Sequence, residues 1–221
     1  MFVAKANEMK SPIIFAEDQF RIEWKKEKQS FAVQQQRNIL FPLLKSELRG
    51  GYQRKNLAGV LATIDVLREL GYRIDKHAVS TGIENAVTMT GLKGRWQKLN
   101  DQPLTYCDVA HNVEGMKEVL AMIEELKFNQ LHFVLGMVRD KDIRSMLSIL
   151  PKSAIYYFCK ADIPRGLDVQ QLALMAADYE LKGETCISVA DAIRLARKSA
   201  HPDDMIFIGG STFVVAEVED L

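Results

Sequence analysis

The sequence contains no GxxxxGK[ST] run and no GxGxxG run. These are the two glycine-rich patterns by which a loop cradles nucleotide phosphates, so no primary triphosphate loop is expected within the 221 residues. Cysteine is scarce: Cys107, Cys159 and Cys186 are widely spaced, odd in number and form no CxxC pair. That excludes a disulfide framework and a zinc ribbon, and it points to a reducing, cytoplasmic compartment. His77, His132 and His201 have no ligand spacing, and no metal is assigned to them. No apolar run reaches the length of a membrane span, and the N-terminus MFVAKANEMKS lacks a signal-peptide core. A charge excess is also missing, since 29 Lys and Arg balance 29 Asp and Glu. Neither membrane nor nucleic acid is therefore expected as a partner.

What is present suits a globular protein with a sizeable core: 48% hydrophobic and 26% charged residues. Two regions differ in pattern. In the first, the runs Pro12-Ile13-Ile14-Phe15, Phe20-Arg21-Ile22-Glu23-Trp24 and Ser30-Phe31-Ala32-Val33 read as short strands with one wet face. Lys25, Lys26 and Lys28 between two of them read as a hairpin tip or exposed edge. Leu57, Val60, Leu61, Ile64 and Leu67 recur at helical spacing over 56–70, with Gly71 placed for a C-cap, and a second helix is expected over 76–85. Gly91 and Gly94 then break the pattern and mark a boundary, giving domains 1–90 and 91–221.

From Gly94 the pattern alternates. Strands are expected at 103–107, 131–135, 154–159, near 186 and at 205–208, and helices at 113–126, 143–150, 169–181 and 190–199. Apolar strands alternating with amphipathic helices give an α/β fold with a mostly parallel sheet covered on both faces. In such sheets ligands gather outside the carboxyl ends of the strands. That rule selects 108–112, 136–142 and 209–211, which would share one sheet edge.

Within those loops, Asp108 can hold a ribose hydroxyl or orient a cation, and His111 can manage a proton or an anion. Asn112 alone reads as a helix cap, as does Asp142. Arg95, beside Trp96 at the boundary, is either a solvated charge or a phosphate clamp, and periodicity does not decide between these. Gly209-Gly210-Ser211 has the makings of an anion-binding nest. Cys107 lies near His111 but sits inside an apolar strand, so it reads as buried and structural.

Taken in order, Gly51-Tyr52-Gln53-Arg54-Lys55-Asn56-Leu57-Ala58, Gly94-Arg95-Trp96 and Asp108-Val109-Ala110-His111-Asn112 resemble the folylpolyglutamate synthases of the Mur ligase superfamily. Asp140-Lys141-Asp142, Arg165 and Gly210-Ser211 extend the match from about residue 50 to the C-terminus. The resemblance implies a Rossmann-like C-terminal domain preceded by a truncated remnant of the Mur-type central ATPase domain. It implies ATP-dependent addition of L-glutamate to dihydropteroate or folates through an acyl phosphate. Asn56, Arg95 and Asp108 would contact ATP, Arg95 would also neutralise the transferring phosphate, and His111 would lie near the reacting groups. Lys141 and Ser211 are candidates for substrate anion contacts. Mg²⁺ and the P-loop would belong to a missing N-terminal domain, without which the chain is expected to be inactive. Val109 departs from the family, which carries Gly there, and Leu57 stands where Ala is common. Two other readings stay open: part of another Mur-type ligase, such as one building peptidoglycan, or a noncatalytic nucleotide-binding module.

Overall fold

The alternation along 20–24 and 30–33 produces paired strands, as a half-buried ribbon requires. In the computed structural model, which describes residues 1–25, 27, 30–49 and 51–219, the chain forms two units, Met1–Gly91 and Leu92–Leu221. The first opens with helices α1 (Phe2–Glu8) and α2 (Ala16–Gln19). Strands β1 (Phe20–Lys25), β2 (Ser30–Gln35) and β3 (Asn38–Lys45) follow, and then helices α3 (Gln53–Glu69), α4 (Lys76–Glu84) and α5 (Ala86–Thr90). The strands form an antiparallel sheet in the order β1-β2-β3. Its core joins Phe31, Val33 and Phe41 to Leu57, Leu61 and Val79.

Three sequence expectations need correction or completion here. The run Pro12–Phe15 is not a strand but an exposed link between α1 and α2. Pro12 brings no N–H to a ladder, and three consecutive apolar residues define no single face. Strand β3 was not anticipated because Pro42 interrupts it. The proline is accommodated on an edge strand, beside a register shift between Phe31 and Val33 of β2. Lys26 and Lys28 lie outside the described residues.

The second unit runs β4 (Gln97–Asp101), β5 (Leu104–Cys107), α6 (Val113–Glu124), β6 (Leu131–Leu135), α7 (Ile143–Ser148), β7 (Ile155–Phe158), α8 (Val169–Ala177), β8 (Lys182–Thr185), α9 (Val189–Ser199), β9 (Met205–Gly209) and α10 (Thr212–Ala216). Its sheet has the order β4-β5-β9-β6-β7-β8, parallel except for the β4–β5 hairpin. Along β6 and β9 the residues alternate between two cores. Phe133, Leu135 and Phe207 face α6, α7 and α8, while Val134, Ile206 and Ile208 face α9 and α10. Each such fully buried large side chain contributes about 1.5–3 kcal/mol, which explains why these strands, buried on both faces, are apolar except at His132 rather than alternating with polar residues. Polar β4 and short α10 were not anticipated, and α8 ends before the expected 181, with Glu180 in the left-handed region after it. No helix among the described residues is long and apolar enough to cross a membrane.

Candidate functional site

Strands β5, β9 and β6 are parallel neighbours, so their carboxyl ends open on one edge of the sheet. The three loops singled out from the sequence therefore meet there. At the end of β5, Asp108 is 4% exposed. Its Oδ2 accepts the Trp96 N–H at 2.7 Å, and its Oδ1 accepts the Ala110 N–H at 2.8 Å. The Val109 N–H donates to the Gly94 carbonyl at 3.0 Å, and the Gly94 N–H donates to Gln97 Oε1 at 2.8 Å. Two of these hydrogen bonds, from Trp96 to Asp108 and from Val109 to Gly94, tie the turn before β4 to the loop after β5, and the other two brace each segment internally.

Two residues in that turn have unusual backbone angles. Gly94 has φ +69°, and a Cβ there would lie 2.8 Å from Cγ1 of both Val109 and Val215. Val109 itself is not among the positive-φ residues, so the loop does not need the glycine the family carries at this position. The branched side chain instead fills the space that Gly94 leaves. Trp96 has φ +45°, a left-handed conformation costing about 1–2 kcal/mol for a non-glycine residue. A hydrogen bond to a charged carboxylate contributes about 1.5–3 kcal/mol, enough to offset that cost.

Arg95 stands between these two residues. It is half-buried, and its guanidinium takes no hydrogen bond or ion pair from the described residues. His111 Nδ1 lies 3.1 Å from the Val109 carbonyl. A carbonyl only accepts, so Nδ1 donates in this contact, and Nε2 is the nitrogen that carries the lone pair whenever the ring is neutral. Asn112 caps α6 by accepting the Gly115 N–H at 2.8 Å, as its residue type suggested. Cys107 is fully buried, and burial, with the Asp108 charge beside it, pushes its thiol up to about 12. It is a core residue and not a nucleophile.

Lys141 and Ser211 sit on the neighbouring loops. Lys141 is half-buried on the loop after β6, where Asp142 caps α7. Ser211 is 2% exposed, and its Oγ accepts the Phe213 N–H at 3.2 Å, so it caps α10. Gly210 has φ +91°, and a Cβ there would come within 2.7 Å of the Gly136 carbonyl. That close approach is what brings the ends of β9 and β6 together. Contacts that the sequence did not reveal align the loops after β6 and β7: Arg139 N–H donates to the Arg165 carbonyl at 3.1 Å and Leu167 N–H to the Met137 carbonyl at 2.9 Å. The Arg165 guanidinium lies 4.5 Å over the Phe213 ring and 3.7 Å from Asp140.

Asn56 belongs to the first unit. It is exposed and donates from Nδ2 to Gln53 Oε1 at 2.9 Å. Both residues line an otherwise mostly apolar cavity of about 320 Å³ with Leu57, Val60, Ile64 and Ile83. Among the described residues, no group of three or more His, Cys, Asp and Glu is placed to hold a metal ion.

Residues 94–212, from the Arg95 turn to the residue after Ser211, match the family model of the Mur ligase glutamate ligase domain. This chain is a Mur ligase family member. Among its relatives is a Haloferax volcanii protein named probable bifunctional folylpolyglutamate synthase/dihydropteroate synthase, 36% identical over 184 residues. The match covers 81% of this chain and 20% of that protein. The Escherichia coli dihydrofolate synthase/folylpolyglutamate synthase is 31% identical over 169 residues, 75% of this chain and 37% of that protein. The structure of E. coli FolC in complex with DHPP and ADP superposes with a TM-score of 0.73 at 26% identity, over 90% of this chain and 44% of that one. The chain thus spans less than half the length of these Mur ligase relatives. Its mostly parallel six-stranded sheet is the fold of the FolC C-terminal domain.

Proposed function

We propose that this chain is the C-terminal part of an ATP-dependent ligase that adds L-glutamate to dihydropteroate or folates. The observation that carries the reading is Arg95: a half-buried cation without a partner among the described residues, on a turn held by three hydrogen bonds, inside the matched domain. A planar guanidinium so held suits a phosphoryl group that gains charge during transfer. Residues 1–90 are the tail of the central ATPase domain, and 91–221 are the domain that handles the amino acid.

In the reaction, a substrate carboxylate attacks the terminal phosphate of ATP, ADP leaves, and the amine of glutamate displaces phosphate from the acyl phosphate. Arg95 neutralises the transferring phosphoryl group. By the family resemblance, Asp108 and Asn56 each contact the nucleotide. His111 lies near the reacting groups, where Nε2 is placed to orient or deprotonate the incoming amine. Lys141 and Ser211 contribute substrate anion contacts. The residues described here do not fit Mg²⁺, so the metal belongs with the P-loop in the part of the ligase outside this sequence, and no step is assigned to it. The chain alone is accordingly inactive, and its working compartment is the cytoplasm.

The test is ATP-dependent ligation of glutamate to dihydropteroate and to tetrahydrofolate, run on this chain and on a protein joining it to a P-loop portion. Activity only in the joined protein, falling about 100–1,000-fold in Arg95→Ala, is the expected result. Turnover of a nucleotide-linked muramyl peptide instead would move the chain to the peptidoglycan branch. A well-folded joined protein without any ligation would leave the nucleotide-binding module.

A further inference from the structure

Arg95 has both flanks fixed and its own side chain unengaged. On one side Gly94 is held through its carbonyl by Val109 and through its N–H by Gln97. On the other, Trp96 is in the left-handed region with its N–H on Asp108. The Trp96 ring is anchored as well: it stacks on Tyr106 of β5 at 4.6 Å and 22°, and leans on Phe207 of β9 at 6.2 Å. Phe207 in turn meets Phe133 edge-on at 4.9 Å. A row of aromatic rings therefore runs from the turn into the core of the sheet. A bulky residue held at positive φ persists only where its surroundings enforce it, and here the aromatic row and the Asp108 carboxylate do so.

We propose that Trp96 is a positioning residue, which aims Arg95 at the oxyanion of a phosphate at the carboxyl edge of the sheet. The proposal rests on the reading of Arg95 as a phosphate contact. Trp96 itself touches no substrate: its ring faces the sheet, and its contribution passes through the backbone it shares with Arg95. Asp108 acts in the same way in addition to any contact it makes with the nucleotide.

The experiment is a double-mutant cycle on the 221-residue chain, reading its affinity for ADP and for inorganic tripolyphosphate by calorimetry. Hydrogen exchange at the residue 96 amide and the urea midpoint are recorded in parallel. Arg95→Ala is expected to weaken binding about tenfold or more, the scale of one lost charged contact. Trp96→Asn, chosen because Asn tolerates the left-handed region, is expected to weaken it about as much, in a chain that still unfolds cooperatively but at a lower urea midpoint because the stacked ring is lost. Trp96→Phe, which keeps a ring on Tyr106, is expected to restore most of the affinity. The Trp96→Asn/Arg95→Ala double variant should bind no worse than Arg95→Ala alone.

Wild-type affinity in a folded Trp96→Asn variant would overturn the proposal, as would losses that add in the double variant. So would a wild-type chain with a protected residue 96 amide but no affinity for either anion. Should Trp96→Asn not fold, Tyr106→Leu removes the stacking surface from the other side and must show the same dependence on Arg95. The ligase reading fails separately. Coupling between Trp96 and Arg95 in tripolyphosphate binding, without ligation by the joined protein, would uphold the positioning role and remove the assigned chemistry.

Discussion

A carboxylate has two oxygens, and those of Asp108 accept backbone N–H groups from residues two positions ahead and twelve behind. The sequence marks Asp108 as a strand-end acid but is silent on Trp96 as its partner, because that contact depends on the register of the β4–β5 hairpin. Packing around Gly94 was hidden for the same reason, since Val109 and Val215 reach it from distant positions. Gly94→Ala should cost about 1–3 kcal/mol through overpacking and a disfavoured φ, read as a lower free energy of urea unfolding. The cysteines behave as their apolar surroundings suggested: all three are buried. Burial raises each thiol, Cys107 up to about 12, so the thiolate that reacts is scarce at neutral pH. Ellman's reagent at pH 8 should find almost no thiol in the native chain and three in guanidinium chloride.

Two helix caps were legible: Asn112 and Asp142 each accept an N–H from the first turn of the helix they precede, the local chemistry that favours these residue types there. Asp75, Asp168, Ser188 and Ser211 do the same, although the first three are not singled out in the sequence and Ser211 reads there as an anion contact. Asn112→Ala should therefore lower stability by about 1 kcal/mol, measured by urea unfolding, and leave the affinity for tripolyphosphate unchanged. A marked loss of anion affinity would show that Asn112 is more than a cap. Strands were legible only where burial imposed a pattern. The central strands β6 and β9 announce themselves by apolar runs. In contrast, β3 carries Pro42, and β4 is largely polar, so both were invisible until a partner strand supplied the reason for them.

At the scale of the molecule, the six-stranded sheet could be read from alternating strands and helices, but its buried polar network could not. His132 is 2% exposed, with Nδ1 2.9 Å from the Tyr157 hydroxyl and Nε2 3.2 Å from Asp204. The Asp204 carboxylate also accepts N–H groups from His201 at 2.7 Å and Gln130 at 3.1 Å. It thereby joins the starts of β6 and β9 at the edge opposite the candidate site. Burial pushes the Asp204 carboxyl up, but the hydrogen bonds from His201, His132 and Gln130 outweigh it and leave the group below its ordinary value. The stability it contributes is complete above the unfolded carboxylate value, about pH 4, and is lost as the pH falls through the lower folded value. Asp204→Asn should cost about 1–3 kcal/mol at neutral pH and make acid unfolding below about pH 4 less steep, followed by circular dichroism. An acid limb identical to wild type would show that other carboxylates govern it.

The pairing of Gly94 with Val109 has a consequence for anyone exchanging parts between these ligases. Where the family has glycine at position 109, room is open on that side of residue 94; here a branched side chain occupies it. Moving the 108–112 loop of this chain into a relative therefore requires glycine at the position that matches Gly94, because any Cβ there would meet the Val109 methyl at 2.8 Å. A receiving turn that keeps this glycine already has the room.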